Sequence, residues 1–169
     1  VKEALSRGAK GVSVQVNMGS PAEPEMIERL GLITQDSHYL DCPVLGMIYP
    51  RGKYLNVMEE DETDGAAHAA RLAFELGCQV VKTKWTGSIE SFKKVTSAVP
   101  IPVLIAGGPA GSSTKEILTI VEQAMQAGAG GVCMGRQVFG AEDPESRVRA
   151  LRAGVHEGKT AAEASLLLR

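Results

Sequence analysis

Two side chains in this sequence could carry out covalent chemistry: the amine of Lys82 and the phenol of Tyr49. Lys82 ends the run Gly77-Cys-Gln-Val-Val81 and precedes Thr83-Lys-Trp-Thr-Gly87. The β-branched pair before it favours a buried strand, so the lysine stands at a strand's carboxyl end. A charge there is costly unless solvated, paired or used, because burial disfavours the ammonium form. One reading is a strand-end lysine whose head reaches water. The other is an amine nucleophile, which a cationic neighbour makes more reactive. Lys84 is the candidate neighbour: the two-residue period of a strand puts it on Lys82's face, where it would favour the neutral amine or compete for its role. Tyr49 closes the apolar run Pro43–Ile48 just before Pro50. It is either a core tyrosine tied to backbone or, beside an amine nucleophile, a carrier of protons to and from a substrate oxygen.

A second group of residues suits an anion. Gly107-Gly108 and Gly135-Arg136 each follow an apolar run. They are tight turns, or they are a phosphate site in which backbone N–H groups hold the anion and Arg136 adds a charge-assisted hydrogen bond. Arg51 and Lys53, just after Tyr49, are solvated charge or a hold on a second anionic group. Asn17 orients a substrate hydroxyl or forms an Asx-turn. His38, His68 and His156 fall inside helical patterns and read as structural or surface residues. Cys42, Cys78 and Cys133 are widely spaced and match no metal motif, so they read as buried thiols of a reducing, cytoplasmic setting. Neither metal nor cofactor is expected.

These residues need a scaffold, and the chain repeats one local plan every ~30 residues, the size of a βα unit. Strands are expected at Gly11–Val16, Pro43–Tyr49, Val80–Lys82, Pro102–Ala106 and Gly131–Met134. Helix starts are marked by Ser20-Pro-Ala-Glu23, Ser113-Thr-Lys-Glu116, Asp143-Pro-Glu145 and Thr160-Ala-Ala-Glu163. Continuous apolar strands alternating with helices mean an α/β fold with a parallel sheet covered on both faces. An open doubly wound sheet and a (β/α)8 TIM barrel both fit. No Gly-x-Gly-x-x-Gly follows the first strand, and Asn17, Tyr49, Lys82 and the glycine pairs all lie at strand carboxyl ends. Only a barrel brings such ends to one face, and the exits of its last two strands are a common phosphate site. The reading is therefore the last five βα units of a TIM barrel, with residues 1–169 the C-terminal part of one domain. A start inside a helix, without Met, fits a piece of a longer protein.

Composition narrows the partners. The 169 residues are 44% hydrophobic and 22% charged with a net charge of −2, which gives no electrostatic case for nucleic acid or an anionic membrane. No apolar run is long enough to span a membrane.

Four motifs, Met47-Ile-Tyr-Pro-Arg-Gly-Lys53, Val81-Lys-Thr-Lys-Trp-Thr-Gly87, Ile105-Ala-Gly-Gly-Pro109 and Met134-Gly-Arg-Gln137, occur in order and at suitable distances. Together they resemble the archaeal-type class I aldolase family, which contains archaeal fructose-bisphosphate aldolase and 2-amino-3,7-dideoxy-D-threo-hept-6-ulosonate synthase. The resemblance covers nearly the whole chain. It implies that Lys82 forms a Schiff base, that Tyr49 transfers protons, and that Gly107, Gly108, Gly135 and Arg136 hold a phosphate. It implies a phosphorylated sugar substrate and a large homo-oligomer. The wording from Met47 to Lys53, and Asn17-Met-Gly-Ser20, lean toward the synthase branch, which transfers a unit onto L-aspartate semialdehyde on an alternative route to 3-dehydroquinate and aromatic amino acids. Family members begin with three further βα units, the first bearing a catalytic aspartate that has no counterpart here. An aldolase acting on fructose 1,6-bisphosphate and an inactive phosphate-binding or assembly fragment are the alternatives.

Overall fold

A computed structural model describes residues 1–55, 62–107 and 112–168. Residues 56–61, 108–111 and 169 lie outside the described residues, and the candidate phosphate-site residue Gly108 is among them. Among the described residues five strands form one sheet: β1 (Val12–Met18), β2 (Val44–Pro50), β3 (Val80–Thr83), β4 (Val103–Ala106) and β5 (Gly131–Cys133). Every neighbouring pair is parallel, and the spatial order is β1-β2-β3-β4-β5. A doubly wound sheet reverses its strand order at a switch point, whereas a barrel wall adds strands one after another. The order decides the architecture: five consecutive βα units of a TIM-barrel wall.

Helices connect the strands, as the long crossovers of parallel pairs require. They are α1 (Lys2–Ser6), α2 (Glu23–Tyr39), α3 (Thr63–Glu75), α4 (Ile89–Ser97), α5 (Thr114–Gln126), α6 (Arg136–Phe139), α7 (Pro144–His156) and α8 (Ala161–Ser165). The core lies between them and one face of the sheet, where Val16, Ile48, Val81, Phe92 and Ile105 are fully buried. α3 owes its close seat to four alanines, Ala66, Ala69, Ala70 and Ala73, each wholly buried. Gly46 of β2 completes that seat. A Cβ on it would stand 2.9 Å from Cys78 Sγ and 3.2 Å from Ala73 Cβ.

The other face of the sheet is concave and only half-covered. Register aligns Gln15, Met47, Lys82 and Leu104 in one row on it and pairs Asn17 with Tyr49 in the next. Two local expectations need correction. β1 runs on through Asn17 and Met18, and Asn17 forms no Asx-turn: its side-chain oxygen is taken by Arg51 and Gln15, while its backbone carbonyl accepts from the Ser20 N–H at 3.3 Å. Ser20 does not cap α2, which begins at Glu23 behind Ala22 with no side-chain cap. Glu23 is drawn away instead, its carboxylate accepting from the Gly19 N–H at 3.0 Å. The boxes at Ser113 and Thr160 and the Asp143 cap form as expected.

Candidate active site

Alternation puts Val81 and Thr83 among the helices, both fully buried, and turns Lys82 between them to the concave face. The strand's exit is anchored by Trp85, whose ring packs on Phe92 at 5.1 Å between centroids. Lys82 makes no hydrogen bond or ion pair among the described residues. Its neighbour takes a different course. β3 ends at Thr83, and the Lys84 ammonium forms an ion pair with Glu62. The strand period therefore stops one residue before it could carry Lys84 to Lys82's face, and the charge of Lys84 is met elsewhere.

A cavity of about 530 Å³ opens over the carboxyl ends of the strands. Lys82 and Tyr49 line it, as do Gly107, Gly135, Arg136 and Arg51. The structure thus brings six of the sequence-predicted residues to one place. Asn17, Lys53 and Lys84 are not among the lining residues. Asn17 stands directly behind them: its Oδ1 accepts from Arg51 Nε at 2.9 Å and from Gln15 Nε2 at 3.2 Å. Arg51, held by that bond, lies over the Tyr49 ring with its guanidinium carbon 4.8 Å from the centroid, within cation–π range. Lys53 turns instead to the Tyr54 ring, 4.9 Å from its centroid.

The glycines differ in what the fold asks of them. A Cβ on Gly107 would meet Gln137 Cγ at 3.2 Å and Met134 Cγ at 3.3 Å. Gly135 has φ −107° and, among the described residues, only Phe139 Cε2, at 3.6 Å, near a would-be Cβ. Among the described residues neither sterics nor backbone conformation demands glycine at 135, and it faces the cavity. The short α6 that follows was not foreseen from the sequence. Gln137 on α6 donates to the Gly107 carbonyl at 3.0 Å, tying the β4 and β5 exits together.

Cys133 and Arg147 are among the lining residues that the sequence did not point to. Cys133 is half-buried and lines the cavity, unlike the buried Cys42 and Cys78, which corrects the expectation of three buried thiols. Arg147 reaches the cavity from α7, where it looks like one more arginine in a charged helical stretch. No carboxylate lines the cavity among the described residues, while Lys82, Arg51, Arg136 and Arg147 all do. Such a space attracts anions.

A family model for DeoC/LacD aldolases matches residues 1–141. The chain belongs to that family. Among the relatives of this DeoC/LacD chain is 2-amino-3,7-dideoxy-D-threo-hept-6-ulosonate synthase of Halobacterium salinarum, 42% identical over 93% of this chain and 58% of its own length. Another is 2-amino-4,5-dihydroxy-6-oxo-7-(phosphonooxy)heptanoate synthase of Streptomyces griseus, 39% identical over 95% of this chain and 58% of its own. Among solved structures, an archaeal fructose-1,6-bisphosphate aldolase with its catalytic lysine bound to the carbinolamine intermediate superposes with a TM-score of 0.84. It is 36% identical and covered to 61% by this chain, of which 92% is matched. The chain therefore spans about three-fifths of the length of these relatives.

Proposed function

We propose that this chain carries the lysine end of a Schiff-base aldolase or transaldolase acting on a phosphorylated or deoxy ketose. The observation that supports it most is the Lys82 amine, without a partner among the described residues, in a cavity shared with Tyr49 and three arginines. In its neutral form the amine adds to the ketone carbon, giving a carbinolamine. Loss of water, with a proton delivered to the departing oxygen, gives an imine whose cationic nitrogen is an electron sink. The C–C bond beside it breaks as the neighbouring hydroxyl loses its proton, an aldehyde leaves, and the electron pair rests in an enamine. The enamine then attacks an acceptor aldehyde, whose oxygen takes up a proton, and water releases the new ketose. Tyr49 is proposed to move the protons at the carbinolamine and hydroxyl stages. Gly107, Gly135 and Arg136 are proposed to hold the phosphate, with Gly108 beside them in sequence. Arg51, braced by Asn17, faces the rest of the substrate. Lys53 is left to the rim.

The synthase relatives favour transfer onto L-aspartate semialdehyde, and the solved aldolase favours cleavage of fructose 1,6-bisphosphate as a second reading on the same imine. Borohydride reduction of the full-length protein with fructose 1,6-bisphosphate should add a stable mass to the peptide containing Lys82, and none in Lys82→Ala. Absence of any adduct on folded protein with fructose 1,6-bisphosphate and with a 6-deoxy ketose 1-phosphate would sink the imine and leave a phosphate-binding or assembly role. Product analysis with and without aspartate semialdehyde separates the two enzymes.

A further inference from the structure

α7 carries three arginines, and they fare differently. Arg149 is paired with Glu145 at 2.8 Å and Arg152 with Glu157 at 2.5 Å, both toward solvent. Arg147 is half-buried and has no ion pair among the described residues. It lines the same cavity as Arg136 and is held there by two neutral acceptors. Its Nη2 donates to Thr114 Oγ1 at 2.6 Å, and its Nη1 donates to the Gln137 carbonyl at 3.3 Å. Those bonds fix where the guanidinium sits without cancelling its charge. A guanidinium has five donors, and these two bonds leave others for a ligand. Gln137, in turn, holds the Gly107 carbonyl.

We propose that Arg147 is a second cation of the phosphate end, which makes that end select a dianionic phosphate monoester over a monoanionic group. The proposal rests on the phosphate reading of Gly107, Gly135 and Arg136. One fixed guanidinium balances one negative charge. A monoester above its second ionisation, near pH 6, carries almost two. Arg136, exposed at the start of α6, and Arg147, anchored on α7, supply the matching pair from two elements.

The test measures binding to the full-length protein at pH 8 with two probes that cannot form an imine: glycerol 1-phosphate and its methyl diester, which has one charge fewer. Wild type should bind the monoester at least about tenfold more tightly than the diester. Arg147→Gln keeps a donor for Thr114 but removes the charge, and should reduce that preference to about threefold or less, with the loss confined to the monoester. Arg147→Lys keeps the charge and should retain the preference to within about threefold. Equal weakening of both probes in Arg147→Gln, or equal losses of preference in the Gln and Lys variants, would make Arg147 a structural clamp and overturn the proposal. So would unchanged binding in Arg147→Gln. A melting curve for each variant verifies that it is folded. Failure of wild type to bind the monoester at all would instead remove the phosphate reading beneath it, and Arg136→Gln separates the cases, since it must weaken the monoester if that reading holds.

Discussion

Cys78 and Cys133 are one functional group in two settings. Burial pushes the Cys78 thiol up to about 11, because a thiolate cannot be solvated among Gly46, Ala73 and the rest of α3's seat. Cys133 stands at the mouth of β5 among cations. At pH 8 iodoacetamide should alkylate the half-buried Cys133 at least about tenfold faster than Cys78, since burial both hides the Cys78 sulfur and keeps it in its thiol form; peptide mapping over time checks this. The same shift has a thermodynamic sign. A thiol whose folded value is raised contributes stability in full below the ordinary thiol value of about 8.5 and loses it as pH climbs through about 11. Melting temperatures should fall across that interval more in wild type than in Cys78→Ala. Lys82 and Tyr49 were legible because strand ends and special residues coincide in one dimension. Arg147 and the Cys133 contact were not, because α7's approach to the cavity is set by packing between distant segments.

Helix caps are the elements' most local instructions, and they show where local reading succeeds. Ser113 accepts from the Glu116 N–H while the Glu116 carboxylate accepts from the Ser113 N–H, and Thr160 with Glu163 repeats the arrangement. Both boxes need only four consecutive residues, and Asp143 with Ser146 likewise. Ser20-Pro-Ala-Glu23 has the same pattern but fails, because Glu23 finds the Gly19 N–H in the turn after β1. A contact outside the four-residue window won. α6 was missed for a related reason: four residues are too short to show a period. Ser113→Ala should cost about 1 kcal/mol, read as a lower denaturant midpoint at constant slope. The carboxyls of Glu116, Asp143 and Glu163 are each held below their ordinary range chiefly by backbone N–H bonds. A depressed value contributes stability above the ordinary carboxylate range, near pH 4, and loses it as pH falls through the lowered value. Acid titration of stability should therefore begin its decline near pH 4, with a shallower slope in Glu116→Gln, which removes one of the titrating groups.

For the molecule as a whole, the strand order fixes which residues can meet, and the loops above the strands fix how closely. The exits of β1 and β2 touch backbone to backbone: a Cβ on Gly52 would fall 1.8 Å from the Gly19 carbonyl carbon, and Gly52 N donates to Met18 O at 2.8 Å. Gly19, at φ +74°, needs the left-handed region that glycine reaches without strain. Gly52→Ala must push these loops apart and should destabilise by about 1–3 kcal/mol in chemical denaturation. The order β1 to β5 was legible from the repeated βα plan. The Gly19–Gly52 approach was not, since thirty-two intervening positions separate two glycines that look like ordinary turn residues.

The row of Gln15, Met47, Lys82 and Leu104 across neighbouring strands makes the sheet a reading frame with a period of two. One residue inserted or deleted within β3 would exchange the two faces at once. The amine would be driven among the alanines of α3, and Val81 or Thr83 would look into the cavity. Strand length in front of Lys82 is thus as strict a requirement for the proposed lysine-based site as the lysine itself, and a drift in chain length there would silence the proposed chemistry without changing a single residue type.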